Sequence, residues 1–365
     1  MPFVEEIVTI VVDGHELRGW QDVSIDRSMQ DAVISFAMTA TNPSWGEEAR
    51  LLRKGTEIEV HSTGDLACRG YVDGYGADYG EGKRKVVTLT GRSKGQDSVD
   101  GHPVKHKTGR VEKKKLDAVA KEFDEPKVGF RTDQQLDPIE KVQRRPGDTI
   151  FQTVEREARR LGLMLMGETE GGILITRAGT KRHAGALVLG ESPVQRIGVK
   201  LKLDEKFKTI VVKGQRAVGT GKDALRQRAE EKDESVRRER SLEILLEGDA
   251  PKKELKKRAR WERLRRSGNG TTITATVSTW RDDAGQLWEP SRLMAIVIEE
   301  EDIDGDYTLS TVQFRQGRDE GTVAYLTFVD PQAHGGEKAA SKGKGLDEGG
   351  IKKGMTEPGN PEQWT

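Results

Sequence analysis

Two short segments carry residues of the types that bind phosphate or metal ions. The sequence GTGK at residues 219–222 resembles a phosphate-binding loop, but Asp223 follows the lysine where that motif requires Ser or Thr. His102 and His106 stand four residues apart, as in a metal-binding pair on a helix, yet Pro103 favours a loop there. Neither segment predicts a nucleotide or metal site.

An acidic segment at residues 299–306 has the composition of a calcium loop but not its spacing. It lacks the alternating ligands and the distant Glu of an EF-hand, so we interpret it as a polar turn between two strands. The sequence also shows no Ser, His and Asp set around a nucleophile signature. We therefore predict no catalytic residue, no cofactor and no metal, and we expect that the protein is not an enzyme.

Positive charge is densest in a predicted helix at residues 250–266, where nine of the fifteen residues from 252 to 266 are Lys or Arg. Leu255 and Ala259 belong to a narrow apolar stripe that would dock this helix on neighbouring β structure. A second hypothesis stays open, in which the helix forms a basic lining for a channel that DNA or an acidic partner traverses. The candidate lumen-facing or partner-facing residues are Lys252, Lys253, Lys256, Lys257, Arg260 and Arg263.

A turn with bulky residues on both sides lies further along the chain, in the sequence WRDDAGQLWEP at residues 280–290. Paired aromatics of this kind form either a brace at the corner of a β structure or a platform for a sugar, and we interpret them as a brace. The residues predicted to form this structural turn are Trp280, Asp282, Gly285 and Trp288.

Length and composition limit the classes of protein to consider. A chain of 365 residues predicts two or three domains, each large enough to bury its own core. Lys plus Arg and Asp plus Glu both total 61, so net charge does not favour binding to nucleic acid or an anionic membrane. The single cysteine, Cys68, excludes intrachain disulfides and is typical of a reducing cytoplasm. We expect no membrane span, because no apolar run approaches the ~20 residues that a span needs.

The chain divides into segments of different character. Residues 1–100 hold short strands separated by Gly, Asp and Asn turns, which indicates a first β-barrel-like domain. Residues 101–145 are polar and rich in Lys and Pro, and we predict a connector with little core. Residues 146–185 combine a helix with a hairpin and indicate a small α/β element. Strands resume over residues 186–333, the predicted second β-barrel-like domain.

Two stretches are too polar to bury much apolar surface. The charged insertion at residues 220–240 is predicted to be a mobile loop or a solvated helix. Residues 334–365 hold mostly Gly, Lys, Glu and Pro and are predicted to be a disordered tail. The sequence therefore predicts a mainly β fold with an α+β insertion, in which two similar β-barrel-like domains flank a small α/β element.

The two β regions also show a weak internal duplication. Each ends in three strands separated by similar polar turns, and two copies of one module per chain would let three chains present six modules around an axis. The matching segments are residues 56–62, 70–79 and 86–91 in the first region and residues 294–300, 305–314 and 322–328 in the second.

These β regions resemble Mu-type phage baseplate hub proteins, the Mu P and late-control protein D family, which is related to the hub part of type VI secretion spikes. The resemblance runs over about residues 3–333 and is carried by residues 258–314, 8–41 and 87–101, and the turn from Trp280 to Trp288 is its most specific part. Residues 146–166 are similar to the small LysM-like α/β element between the two barrels of that family.

The resemblance implies a homotrimer whose two barrel-like domains per chain form a pseudo-sixfold ring around the tail lumen. Such a ring adapts the tail tube of a contractile tail to the trimeric central spike, and it implies no catalysis. The implied partners are the tail spike protein, the tail tube or distal tail protein, other baseplate proteins and the tape measure, with transient passage of DNA during genome ejection. The implied location is the baseplate of the virion, or of a phage-derived particle, after assembly in the cytoplasm of the host bacterium.

Two functions of a different class stay open. A tail-associated peptidoglycan-binding or cell-wall-degrading protein would use the LysM-like element and would pellet with peptidoglycan. A nucleic-acid-binding protein would use the basic helix, and its affinity would depend steeply on salt because cations on the protein displace counterions from the phosphates.

Overall fold

The computed structural model describes residues 6–334 apart from 42, 44, 46–47, 82–84, 178, 180, 192, 216–226 and 250. The predicted mainly β fold with a basic helix is confirmed. The segment predicted to be a disordered tail lies outside the described residues, apart from its first position.

Twenty-one strands and four helices account for the regular structure of this part of the chain. The strands are β1 Val8–Val12, β2 His15–Leu17, β3 Asp22–Ser28, β4 Ser35–Thr41, β5 Glu57–Ser62, β6 Asp65–Tyr79, β7 Lys85–Ser93, β8 Arg110–Lys114, β9 Phe130–Thr132, β10 Ile139–Gln143, β11 Met164–Gly167, β12 Ile173–Thr176, β13 Arg182–Val188, β14 Val194–Leu201, β15 Thr209–Gln215, β16 Gln227–Lys232, β17 Ser241–Asp249, β18 Thr271–Val277, β19 Leu293–Ile298, β20 Ile303–Gly317 and β21 Gly321–Val329. The helices are α1 Gln96–Asp100, α2 Leu116–Phe123, α3 Ile150–Arg160 and α4 Lys252–Gly268, and short 3-10 turns lie at Glu48–Lys54, Glu299–Glu301 and Pro331–His334.

Thirteen of the strands form one continuous sheet that contains both β regions. Its order is β14-β18-β21-β20-β3-β4-β7-β6-β5-β1-β2, and β19 pairs with both β20 and β13. The two regions predicted as separate domains are therefore joined by backbone hydrogen bonds between β20 and β3.

One hydrophobic core lies under this sheet and takes residues from both ends of the chain. Val23 and Ile25 of β3 are buried there, and Ser24 between them lies on the opposite face, as expected for a strand with one buried face. Phe314 and Phe328 of the last two strands enter the same core. The expectation that each β region buries its own core is wrong, because the two regions share this one.

The middle of the chain forms a separate α/β unit with a second core. It contains the β8–β10 pair, the sheet β11-β12-β9 and helices α2 and α3. Residues 101–145 were predicted to be a connector with little core, and this prediction is wrong. The segment is polar on average, but Val111, Leu116 and Phe123 all lie on the inner side of the unit and are buried with Ile150.

A third unit consists of the sheet β16-β15-β17 and helix α4. Of the charged insertion at residues 220–240, residues 220–226 lie outside the described residues. Residues 227–232 form β16, which pairs antiparallel with β15. The prediction of a loop or solvated helix is wrong for this strand. Its one buried side chain, Ala229, contributes to the small core under α4, while its charged neighbours point to solvent or to the edge of that core.

Candidate assembly surfaces

The internal duplication has a close structural counterpart. In the first β region a strand of 6 residues, one of 15 and one of 9 follow one another as β5, β6 and β7. In the second region β19, β20 and β21 have the same lengths, 6, 15 and 9 residues. Neighbours in both sets pair antiparallel, and each long strand has one bulge against the strand that follows it, after Val72 in β6 and after Leu309 in β20.

These two bulges align the regions residue by residue. From each of the residues Val72 and Leu309, a row of residues that lie opposite one another in neighbouring strands crosses four strands. When the two rows are matched strand by strand, β4 corresponds to β18 and β3 corresponds to β14. The first row is Val72, Gly91, Phe36 and Ile25, and the second row is Leu309, Phe328, Ile273 and Val199.

The regions meet at the joint between β20 and β3. Phe314 lies opposite Ile25 at this joint, and both side chains are fully buried. On the solvent side, Arg315 donates from Nη2 to Oδ1 of Asp26 at 2.7 Å. Each region thus covers one strand edge of the other within the same chain.

Several strand edges of the large sheet, including those of β2 and β13, have no neighbouring strand within the part of the chain that the structure describes, and two of these edges belong to β14 and to the second half of β6. β14 pairs with β18 alone, and residues 73–79 of β6 pair with β7 alone, because the β5 pairing ends at Tyr71. Each of these two edges ends in a large exposed side chain, Tyr79 at 71% and Leu201 at 65%. Unpaired edges of this kind present backbone donors and acceptors that a strand of another chain can use.

The face of the sheet opposite the core carries many small hydroxyl-bearing side chains, interspersed with charged residues of both signs such as Asp26, Arg92 and Arg315. In an antiparallel sheet, alternate residues of every strand face this side. The hydroxyl-bearing residues on it include Ser24, Ser35, Thr39, Thr88, Thr90, Thr272, Thr274 and Thr276. Hydroxyl groups attract a phosphate backbone weakly compared with Lys or Arg, so this face differs in chemistry from the basic helix.

Helix α4 is the predicted basic helix, and its predicted apolar stripe docks it. Leu255 and Ala259 are buried against Val212 and Ala229 of the small sheet. Of the six candidate residues, Arg263 is partly buried and its Nε lies 3.7 Å from Oε2 of Glu231. The other five are exposed on one side of the helix, and none of them forms an ion pair with a described residue: Lys252, Lys253, Lys256, Lys257 and Arg260.

The remaining cations of α4 hold the helix in place. Trp261 lies between Arg258 and Arg265, with ring-to-guanidinium distances of 4.6 and 5.3 Å. The same ring packs on Gly162 at the end of α3, where a side chain would collide with it. Glu262 is buried and pairs with Arg258 at 2.5 Å. About half of the positive charge of the helix is therefore structural.

The predicted structural turn lies at the edge of the main core. Trp280 and Trp288 are fully buried there, and their indole N–H groups donate to the carbonyl oxygens of Val323 at 2.9 Å and Thr279 at 3.1 Å. Gly285 has a φ of 77°, a conformation that favours glycine. These contacts support a role as a brace and leave neither indole exposed as a sugar platform.

Asp282 fastens this turn to β13. Its carboxylate accepts backbone hydrogen bonds from Gln286 at 3.0 Å and Ala184 at 3.1 Å, and its Oδ2 lies 2.9 Å from Nδ1 of His183. Burial acts to raise the pKa of Asp282, but these hydrogen bonds outweigh it and lower the pKa below its ordinary value. Sequence reasoning missed His183, since the two partners lie 99 residues apart and no local spacing marks them.

Arg281 of the same turn ties the N-terminal segment to the second region, and sequence reasoning missed it too. Its Nε donates to Glu6 at 2.7 Å, its Nη2 donates to the carbonyl oxygen of Ser62 at 2.9 Å, and it also pairs with Asp65. Burial acts to lower the pKa of Arg281, but the hydrogen bonds to Glu6 and Asp65 raise it overall. The guanidinium is therefore held charged in a buried network.

The described residues offer little that suggests chemistry. Among them, no group of three His, Cys, Asp or Glu side chains is arranged to hold a metal ion. No helix in this part of the chain is long and apolar enough to cross a membrane. Cys68 is fully buried, and burial raises the pKa of its thiol to about 12, which keeps it protonated and unreactive at neutral pH.

Comparison with known proteins places this architecture among phage tail proteins. Residues 7–93 match the family model described as Mu phage baseplate assembly protein GpP-like, N-terminal, and residues 266–330 match the model described as tail protein, C-terminal domain. The baseplate hub protein gp44 of Escherichia phage Mu is 26% identical over 302 residues, which cover 79% of this chain and 78% of gp44.

Two solved structures share the fold over nearly their whole length. The 43 kDa tail protein of prophage MuSo2 from Shewanella oneidensis is 24% identical with a TM-score of 0.77, and the match covers 90% of this chain and 99% of that one. The tail protein from Neisseria meningitidis MC58 is 21% identical with a TM-score of 0.77 and the same coverage. The predicted resemblance to Mu-type baseplate hub proteins is confirmed.

Proposed function

We propose that this chain, a relative of the Mu-type baseplate hub proteins, is the structural hub of a contractile phage tail baseplate or of a phage-derived particle. Three copies form a ring that adapts the tail tube to the trimeric central spike and surrounds the tail lumen. The protein acts by matching symmetry and transmitting load, and it catalyses no reaction. It is a component of the virion after assembly in the host cytoplasm.

The observation that carries this proposal is the pair of matched sheet modules joined edge to edge. Both modules have strands of 6, 15 and 9 residues in the same antiparallel order, and β20 of one pairs with β3 of the other. Three chains supply six such modules, and similar joints between all six would close a ring. A ring of this kind offers a threefold repeat to the spike and a near-sixfold repeat to the tube.

The hydroxyl-rich face of the sheet supports a role next to a lumen. Its Ser and Thr hydroxyl groups hydrogen-bond water readily, and cations on it such as Arg92 and Arg315 are paired with acidic side chains, so they attract a passing phosphate backbone less than unpaired cations would. We propose that this face lines the ring, so that the tape measure and then DNA pass without being retained.

The basic side of α4 is proposed to bind an acidic surface, either DNA in the lumen or a neighbouring tail protein. Binding of double-stranded DNA by the purified chain, measured over a range of salt concentrations, separates these. If DNA is the partner, log affinity falls linearly with log salt, and Ala at the five exposed positions removes most of the binding. A matched control replaces five exposed lysines of the α/β unit: Lys105, Lys107, Lys113, Lys121 and Lys127. DNA is contradicted as the partner if the affinity does not depend on salt concentration. It is also contradicted if the control substitutions lower the affinity as much as the substitutions in α4 do.

Electron microscopy of the purified chain tests the hub itself. Averaged images should show an annular particle with threefold symmetry, six lobes and an open centre. Compact particles without a central opening, together with pelleting of the chain by peptidoglycan, would contradict the proposal and favour a cell-wall-binding role for the α/β unit.

A further inference from the structure

We infer that the unpaired strand edges of β6 and β14 bind each other between copies of this chain. Residues 75–79 of β6 in one copy pair antiparallel with residues 197–201 of β14 in the next copy. This inference rests on the proposed ring and specifies the joint that closes it.

The joint inside the chain provides the template. There, the second half of β20 pairs antiparallel with β3. The aligned rows make β6 the counterpart of β20 and β14 the counterpart of β3. The counterparts of the two joined edges are therefore the edges of β6 and β14, both of which lack a neighbouring strand among the described residues.

The alignment also fixes the register of the inferred joint. Phe314 lies opposite Ile25, and the corresponding residues are Ala77 and Val199. Ala77 follows the bulge in β6 by the same number of residues as Phe314 follows the bulge in β20. The row through Val72 likewise makes Ile25 the counterpart of Val199. In antiparallel pairing, Ala77 opposite Val199 places Tyr79 opposite Ile197.

Burial differs between the two regions in the way that a missing strand would produce. Val312 and Phe314 of β20 are fully buried, whereas their counterparts Tyr75 and Ala77 are half-buried. At the ends of the free edges Tyr79 and Leu201 are largely exposed. A strand added to each edge would cover these side chains, and removal of apolar surface from water favours association.

Charge supplies independent support for the choice of a second copy as the partner. Arg315 pairs with Asp26 at the inner joint, and their counterparts are Asp78 and Lys200. The signs are exchanged, but the attraction is kept. In the inferred register Asp78 lies opposite Gly198, and Lys200 is its diagonal neighbour on the solvent face, the same relation that Arg315 has to Asp26.

The exchanged signs also specify which edges meet. A β20 edge placed against β14 would bring Arg315 next to Lys200, and a β6 edge placed against β3 would bring Asp78 next to Asp26. Both mismatched joints set like charges side by side, which is unfavourable. The β20–β3 joint inside each chain and the β6–β14 joint between chains therefore alternate around the ring. The modules follow one another head to tail.

Cross-linking between copies tests the register directly. Tyr79→Cys and Ile197→Cys chains are purified separately, mixed, and treated with an oxidant or a short bismaleimide. The native Cys68 is buried and does not compete. We expect a linked dimer in the mixture and linked trimers from the chain that carries both substitutions. The matched control replaces Ile197→Cys by Leu203→Cys, which is exposed at 72% but displaced from the joint, and should give no linked product.

Charge reversal tests the same joint without a reactive group. Asp78→Lys or Lys200→Asp alone should weaken association by roughly two- to fivefold per contact, as expected for an exposed ion pair. The two reversals combined should restore it. Circular dichroism checks that each variant remains folded.

The outcomes separate this inference from the proposed ring. Trimers that show neither the cross-link nor the charge effect overturn the edge pairing and leave the ring intact. Cross-linked chains that never reach a trimeric mass support the edge pairing and overturn the ring of three. Chains that stay monomeric and give no cross-link at any concentration overturn both.

Discussion

Arg315 on β20 and Asp26 on β3 lie 289 residues apart in sequence and form a 2.7 Å hydrogen bond across the joint between the two β regions. Directly beneath them Phe314 lies opposite Ile25 in the shared core. The joint thus combines a solvent-exposed ion pair with a buried apolar pair. These two layers should contribute very differently to stability.

Truncation of the apolar layer should destabilise the fold strongly. Phe314 is fully buried and its ring lies 4.9 Å from that of Trp280, so Phe314→Ala should lower the free energy of unfolding by about 3–5 kcal/mol. Its neighbour provides the control, because Arg315→Ala removes a partly exposed ion pair and should cost no more than about 1 kcal/mol. Urea unfolding of both variants measures the difference, and equal losses would show that the joint is not built in this way.

Stability should depend on acid through Asp282. Because its pKa is lowered in the fold, the unfolded state binds more protons, so its contribution is fully present above the ordinary value of about 3.9 and is lost as the pH falls through the lowered pKa. Asp282→Asn should therefore be destabilising by about 1–3 kcal/mol at pH 7. The difference in the free energy of unfolding between Asp282→Asn and the wild type should become smaller below pH 4.

Asp283 provides a control, because its pKa shift has the opposite sign to that of Asp282. Burial and the charge of Asp282 raise the pKa of Asp283, so the folded state disfavours its ionised form. Asp283→Asn should leave stability at pH 7 unchanged or slightly increased. A loss of stability in Asp283→Asn equal to that in Asp282→Asn would contradict the assigned roles.

The two matched rows of residues differ in where their large side chains lie. Gly91 leaves room for the ring of Phe36, whereas Phe328 and Ile273 occupy the corresponding positions. A methyl group at Gly91 would overlap the Phe36 ring and the backbone of Tyr71, so Gly91→Ala should cost about 1–3 kcal/mol.

A second substitution distinguishes crowding from a general effect on the strand. Phe36→Leu in the Gly91→Ala background should recover part of the loss, while Thr90→Ala on the exposed face should be nearly neutral. Thermal unfolding monitored by circular dichroism compares the three variants. A Gly91→Ala protein that melts with the wild type would show that β7 and β4 are not packed as described.

The docking of α4 should be insensitive to its exposed charge. Leu255 is fully buried against the small sheet, and Leu255→Ala should cost about 2–5 kcal/mol. Lys256 is adjacent and exposed, and Lys256→Ala should change stability by less than about 0.5 kcal/mol. If the unfolding free energies of both variants fall together, the helix is held by charge rather than by its apolar stripe.

Local patterns were sufficient to predict much of this fold. Alternation of apolar and polar residues marks β3 and β4, and the apolar stripe at Leu255 and Ala259 marks α4 and the side that docks. The internal duplication was visible because turn residues recur at matching positions. The buried tryptophans of the 280–290 turn followed from their flanking positions.

Features that depend on distant contacts could not be predicted from one sequence. The partner of Asp26 is far along the chain, and nothing local to β3 or β20 specifies that they pair. Four of the six residues 227–232 are charged, yet hydrogen bonds to β15 and one buried alanine are enough to form a strand. The connector prediction for residues 101–145 was wrong because average polarity hides where single apolar residues point.

The solution mass of the purified chain, measured by light scattering across a dilution series, tests the central claim most directly. A hub that assembles by itself should hold a stable mass near three times 40.5 kDa over the series. A mass of 40.5 kDa at every concentration would contradict the proposed homotrimeric ring.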